Sequence, residues 1–503
     1  YMSSMKIAEI YTDFLWFDSV GFKDVFLLSL KIKLFIFALA SIVFFVFSYV
    51  NLRIAKPKKR LPVWILGLIS VMVGLAARHI WFKVLQYRYQ VQFGLADPVF
   101  LRDISFYIFS IPYLRSLLTF SFSCIIITII LIFVQKLLSM SQKPLIIPPQ
   151  FNLKPKIKKV AGRELTHFAV LVSIGLILLA IRHYLDRFSI MYSEEGVVVG
   201  AGFTDVAITV PILNLLFISA IVLAIIVLVF HRLGRKVVYV SFALYVALAF
   251  VGSAILPPVV QSLRVSPNEI NLEREYIENN IAFTKIAYGL EDVEEKDYRV
   301  GKLETIDYDT LSNVRILDWR PLTQTYRQTQ EIRLYYDLGG VDIDRYMIDG
   351  KYTEVMLAPR ELNQDKIASN AKTWLNLHMV YTHGYGIVMS PVNSVTREGL
   401  PNYIIKDIPP SYTVDENSIR LERPQIYYGE HENDYVIVNT RTDEFDYPKG
   451  NTNKYANYRG TGGIKLDSFF KKALMALKFS DIKILLSSDI TDDSRIMIYR
   501  DIK

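Results

Sequence analysis

VAITVPILNLLFISAIVLAIIVLVF, residues 206–230, runs for 25 residues without an Asp, Glu, Lys or Arg. About 20 mostly apolar helical residues cross a hydrocarbon core of ~30 Å, so this stretch is read as a transmembrane helix. Its kind recurs at 34–50, 61–77, 117–134, 167–181 and 237–256. The shorter runs are extended by flanking Lys, Arg, Tyr and Trp that snorkel into the headgroups. Six such runs predict a helical membrane domain over residues 1–261. None has a charged residue at its centre, whereas ion and proton paths usually carry one. Pro211 lies near one end of its run, where proline starts a helix as readily as it breaks one.

The charge balance fits this division. The chain has 57 Lys+Arg against 49 Asp+Glu, but residues 1–261 carry 26 and 11, and residues 262–503 carry 31 and 38. The positive excess sits in alternate loops. Segments 51–60, 135–166 and 231–236 hold 15 Lys+Arg in 48 positions, and the intervening segments 1–33, 78–116 and 182–205 hold 11 in 96. Positive loops stay in the cytoplasm, which predicts a multi-pass protein of the cell membrane with residues 262–503 extracytoplasmic. The acidic second half lacks the basic stripe that nucleic acid requires. Cys124, inside an apolar run, is the single cysteine, so disulfides and thiolate zinc sites are excluded. Segment 78–112 mixes aromatics with spaced charges and is read as interfacial, with a turn at Asp97-Pro98. Segment 192–205, with three glycines, is read as a flexible connection.

After Pro257-Pro258 the apolar runs shorten and Tyr, Asn and Asp become frequent. Residues 268–289 predict a helix ending at a glycine. Strands are predicted at 314–317, 331–336, 352–357, 386–389, 425–428, 435–439, 481–487 and 495–499. An amphipathic helix is predicted at 465–479, with Leu466, Phe469, Phe470, Ala473, Leu474 and Leu477 on one face. The fold class is thus a membrane protein, an α-helical transmembrane bundle followed by a soluble α+β (or α/β) extracytoplasmic domain.

Chemistry is sparser. WLNLHMVYTHGYGIVMS (374–390) places His383 before Gly384 and Gly386, where open backbone would let a substrate approach a general base. The same patch also reads as a structural turn with the histidine bonded to backbone. Glu361 is the carboxylate candidate to orient His383. Asp342 and Asp344, in DLGGVDIDRYMIDG (337–350), are oxygen donors for a cation, or surface carboxylates pairing with Arg345. Gly460, Gly462 and Gly463 precede a helix but lack the phosphate-loop pattern. No cofactor is expected.

The chain resembles uncharacterised protein family 0182. The resemblance rests on DFLWFDSVGF (13–22), FGLADPVFLRDISFYIFSIP (93–112), AGFTDV (201–206), PNEINLEREYIENNIAFTKIAYGL (267–290), VDIDRYMIDG (341–350), RELN (360–363), YTHGYG (381–386), GLPNYIIKDIPP (399–410), RPQIYYGE (423–430) and EFDYP (444–448). It implies several membrane helices and a large outer domain, and an internal portion of a longer protein truncated at both ends. It supplies no catalytic residues. The leading expectation is an envelope scaffold or binding protein, with the lipid bilayer and an envelope protein or glycan as partners. The alternatives are an extracytoplasmic hydrolase or transferase built on His383 and Glu361, and a transporter. Oligomeric state is not legible.

Overall fold

The computed structural model describes residues 2–55, 61–140, 162–232, 234–297, 311–431, 434–450 and 452–502. Most lysines and arginines of the first two basic loops fall outside these residues. The chain forms two compact units, Leu28–Lys296 and a second made of Tyr1–Leu27 with Asp297–Lys503. These boundaries differ from the division at residue 261 expected from composition.

The first helix, α1 (Met2–Ser19), belongs with the C-terminal unit. The helical unit then runs through α2 (Lys23–Ile54), α3 (Val63–Ala77), α4 (Trp81–Arg88), α5 (Ile111–Met140), α6 (Gly162–Asp186), α7 (Val210–Phe230), α8 (Arg235–Phe250), α9 (Leu256–Val260) and α10 (Glu269–Ala287). Among the described residues, six helical stretches are long and apolar enough to cross a membrane, one at each predicted run. The sixth, Lys236–Ala287, does not stop at the prolines. Pro257 and Pro258 occupy the first turn of α9, where a missing N–H costs nothing, and π-turns at Val251–Ile255 and Gln261–Val265 join the pieces. The helix continues through the change in composition there.

Packing between the spans uses small residues and isolated polar pairs. A Cβ on Gly74 would lie 2.6 Å from the Phe37 carbonyl oxygen, so α3 meets α2 at near backbone contact. Ala169, Ala180, Ala220 and Ala224 play the same part between α6 and α7. Ser48 bonds Thr128 at 2.7 Å, His167 bonds Asn51 at 2.8 Å, and Ser173 donates to the Ala224 carbonyl at 3.0 Å.

The other unit is sheet-rich. After α11 (Trp319–Gln330) come β1 (Tyr336–Leu338), β2 (Asp342–Ile348), β3 (Lys351–Leu362), β4 (Gly384–Tyr385), β5 (Ile387–Pro391), β6 (Ile405–Lys406), β7 (Ser411–Tyr412), β8 (Gln425–Ile426), β9 (Val436–Val438), β10 (Glu444–Lys449), β11 (Thr452–Ala456), β12 (Ile464–Lys465), α12 (Phe469–Lys478), α13 (Lys483–Leu486) and β13 (Arg495–Met497). The largest sheet runs β1-β3-β5-β6-β7, with β2 also on β3; β12-β13-β9, β10-β11 and β4-β8 form smaller ones. Every pairing between these strands is antiparallel, so the unit is α+β.

Several predicted elements are corrected. Residues 314–317 are not a strand, although the Ile316 and Leu317 amides reach the Val392 carbonyl. Of 331–336 only Tyr336 is in a strand, because Ile332 turns the chain at φ +64°. Residues 481–487 hold the short helix α13, started by Asp481 accepting from the Lys483 amide. Helix α12 buries Met475 and Ala476 and leaves Phe469 and Phe470 exposed, so its buried face is rotated from the expected one.

Helix α1 completes this unit's core. Leu15 packs with Met475, Ile484 and Ile496, and Asp13 accepts from Lys478 Nζ at 3.1 Å and from the Tyr499 hydroxyl at 2.7 Å. Among the described residues, six candidate spans lie between α1 and the sheets in the chain.

Candidate functional site

Three of the stretches that carried the resemblance meet around His383. Glu444 and Asp446 are two apart on β10 and share a face. Thr382 and His383 lead into β4, and Gln425 and Tyr427 come from β8 and the residue after it. The Glu444 carboxylate accepts from the Thr382 hydroxyl at 2.7 Å, the Tyr427 hydroxyl at 2.8 Å, and the Asn439 and Tyr458 amides at 3.2 and 3.0 Å. Since the Thr382 hydroxyl donates to Glu444, it accepts from His383 Nδ1, 2.8 Å away. His383 Nε2 faces Asp446 Oδ1 at 3.4 Å, which also accepts from Gln425. Both ring nitrogens then donate, and the imidazolium is the favoured form.

The electrostatics agree. Burial works against charge on His383, but hydrogen bonds and attraction from Asp446 and Glu444 outweigh it and raise its pKa. For Glu444 burial acts to raise the pKa, and bonds from His383, Thr382 and Tyr427 bring it below the usual carboxylate range. The His383 and Glu444 side chains are fully buried, and the Tyr427 ring lies 4.6 Å from the imidazole. A sealed, doubly donating histidine has no lone pair to offer a substrate. The geometry seals His383 from solvent with a partner at each ring nitrogen, where its glycine turn led to the expectation of an accessible base.

Glu361 is not its partner. The Glu361 carboxylate accepts from the Glu430 amide at 2.9 Å and the His431 amide at 3.0 Å, with Gly429 packed against it. It fixes a turn. Asp342 and Asp344 lie on the exposed strand β2. Asp344 accepts from the Tyr346 hydroxyl and the Arg345 amide, not from the Arg345 guanidinium, and these bonds lower its pKa. No cluster of three or more metal-binding side chains occurs among the described residues.

Within the helical unit, three more of the resembling stretches converge. The Asp97 carboxylate accepts from the amides of Val99, Phe100 and Arg102 at 2.9, 2.6 and 2.8 Å and from the Tyr107 hydroxyl at 2.7 Å. Asp103 does the same for the amides of Phe93, Gly94 and Ser105, and its pKa falls to about 2, chiefly through Ser105. Two carboxylates thus template segment 93–105. Segment 192–205 is tied down, contrary to the flexible connection expected. Asn280 of α10 donates to the Val199 carbonyl at 2.9 Å, and buried Glu273 accepts from the Phe203 amide at 3.1 Å. Gly202 gives Glu273 the room, since a Cβ there would lie 3.2 Å from its carboxylate.

These segments and α10 line a partly open cavity of about 300 Å³. Pro98, Val99, Ile104, Ile108, Val198 and Phe283 give it apolar walls, and Tyr192, Tyr276 and Asn279 a polar edge. Such a volume is at the lower end of small-molecule sites. Sequence reasoning missed this cavity, as it missed Glu444 and Asp446. The i, i+2 carboxylates of EFDYP were the available signal for the latter.

The family model described as "Uncharacterised protein family (UPF0182)" matches residues 1–62 and 54–503. A UPF0182 protein of Desulforamulus reducens is 36% identical over 99% of this chain and 57% of its own length. Those of Pelotomaculum thermopropionicum and Methanospirillum hungatei are 35% and 36% identical, again over 99% of this chain and 57% of theirs. The chain thus spans little more than half the length of these relatives. No solved structure matches it. With the match running through both the spans and the sheets, this chain belongs to the UPF0182 family.

Proposed function

We propose that this is a binding protein of the cell membrane, with its sheet-rich unit outside the cytoplasm, that holds the apolar part of an amphiphile in the cavity between α10 and segments 97–108 and 191–201. The observation that carries the reading is where the cavity lies. Ile104 and Ile108 flank the start of the span Phe106–Leu138, and Met191 and Tyr192 end the span Glu164–Tyr192, while Phe283 comes from the helical run Lys236–Ala287, which is longer than a bilayer is thick. A helix of 33 residues is about 50 Å long, and a bilayer with its headgroups about 40–45 Å, so helix ends of this kind stand at headgroup level. An apolar cavity with a tyrosine and asparagine edge at that depth suits a molecule with a hydrocarbon part and a neutral polar head.

Photolabelling tests it. Reconstituted protein is irradiated with a diazirine-bearing phospholipid, and labelled peptides are mapped. We expect saturable labelling of peptides containing 97–108 and 276–283, reduced at least fivefold by Ile108→Trp, which narrows the cavity. Labelling confined to the lipid-facing spans and indifferent to that substitution would remove the proposal. The sidedness rests on the denser positive charge of the three opposite loops. In cells carrying Cys124→Ala, an impermeant maleimide should label Leu334→Cys, a position 81% exposed in the sheet-rich unit, without lysis. Labelling only after lysis would invert the topology.

A further inference from the structure

We infer that the helical unit carries a second, separate lipid site, selective for a phospholipid with a primary ammonium head, in a cavity between the end of α5 and the start of α6. The cavity is partly open and has a volume of about 500 Å³. Lys136, Glu164 and His167 supply its polar groups, and Ile, Leu and Phe side chains of α5 and α6 most of the rest. It does not rest on the cavity described above, which lies at the start of the span Phe106–Leu138, whereas this one lies at its end.

The occupant follows from the order of the lining groups and from their charges. Lys136 is two residues from the end of the span Phe106–Leu138, and Glu164 is the first residue of the span Glu164–Tyr192. Ile129 and Leu171 lie seven positions further into their spans, about 10 Å along either helix. The lining thus runs from charged at the span ends to apolar within them, the order of groups in a phospholipid. Ile130, Phe133 and Phe168 are 52%, 62% and 51% exposed, so the apolar part opens sideways, where an acyl chain enters from the bilayer. Lys136 Nζ meets Glu164 Oε2 at 3.1 Å, with both side chains more than a third exposed. One charge of each sign repels part of any head with a single charge and complements a zwitterion, phosphate on Lys136 and ammonium on Glu164. His167 then distinguishes between zwitterions. Asn51 Nδ2 donates to the Phe47 carbonyl at 2.8 Å, so Asn51 Oδ1 accepts from His167 Nε2, also at 2.8 Å. The neutral ring is left with Nδ1 as an acceptor, and Nδ1 has no hydrogen-bond partner among the described residues. A primary ammonium can donate to it, whereas a trimethylammonium has no N–H to give.

The test uses the whole chain in vesicles of phosphatidylcholine and phosphatidylglycerol. Three trace probes share one diazirine-bearing acyl chain and differ only in the head: phosphatidylethanolamine, phosphatidylcholine and phosphatidylglycerol. After irradiation, the phosphatidylethanolamine probe should label peptides containing 129–136 and 164–171 about fivefold more than either other probe, and unlabelled phosphatidylethanolamine should compete. Glu164→Gln should remove most of that preference, and Glu164→Asp should keep the larger part of it. Equal labelling by the three probes overturns the inference, since it would mean that bulk lipid merely wets the cavity. So does an absence of label in these peptides, which would mean that protein, of this copy or a second one, covers the cavity. A preference that survives Glu164→Gln also counts against it. The amphiphile proposed above is read from the other peptides, 97–108 and 276–283, so either reading can fail without the other.

Discussion

Glu444→Ala should destabilise the sheet-rich unit by about 3–5 kcal/mol, the loss seen when one partner of a buried ion pair is removed. The substitution strands Thr382, Tyr427 and two amides, and leaves the His383 imidazolium with Asp446 alone. The pH dependence follows from the two shifts. His383 has a folded pKa above its ordinary 6.5, so its contribution is complete below that value and is lost as pH rises through the folded pKa. Glu444 has a folded pKa below its ordinary 4.5, so its contribution is complete above that value and is lost as pH falls through the folded pKa. The pair therefore stabilises most between 4.5 and 6.5. Thermal unfolding in detergent should show a maximum in that window with a decline on the alkaline side. His383→Gln should flatten the alkaline decline. Identical pH profiles for the wild type and His383→Gln would show that the imidazole is neutral in the fold.

The membrane half was legible because a long uncharged run has one physical solution in a bilayer, and residues 206–230 have no other reading. What misled was treating Pro257-Pro258 as a boundary. Proline ends a helix in its interior but not in its first turn, and α9 places both there. Helix α11 was missed although its start is written in the sequence: Asp318 caps it by accepting from the Arg320 amide, and Pro321 sits in the first turn. Its strong polarity concealed it. The assignment of α1 to the sheets was not legible at all, since Leu15 and Asp13 meet partners more than 450 residues away. The same holds for His383. A histidine beside two glycines looks accessible in one dimension, and only the pairing of β4 with β8 and the approach of β10 seal it.

The glycines of that motif have a different purpose, and Gly384→Ala should be the most damaging small substitution in the unit. A Cβ at residue 384 would lie 2.4 Å from the Arg360 carbonyl oxygen, 2.7 Å from Glu361 Cα and 2.9 Å from the Leu362 amide nitrogen. All three are backbone of β3, which cannot swing aside as a side chain would. That stretch of β3 is also fixed from every direction. It pairs with β1, its Arg360 amide bonds the Gly386 carbonyl, and the fully buried Arg360 guanidinium holds the Gln330 and Tyr385 carbonyls at 2.8 and 2.9 Å. Overpacking usually costs about 1–3 kcal/mol. With backbone on all sides we expect about 4 kcal/mol or more, in the range reserved for core disruption. Gly386→Ala should cost less, about 1–2 kcal/mol, since its burden is a φ of +73° and a 3.2 Å approach to the Pro410 ring. Gly340→Ala, with open space around it, should stay within about 0.5 kcal/mol. Thermal unfolding of the three variants should rank them in that order. Were Gly384→Ala to unfold together with Gly340→Ala, the close approach of β4 to β3 would be disproved. A glycine demanded by backbone contact answers to the packing of the sheet, which is why its place beside a histidine says nothing about catalysis.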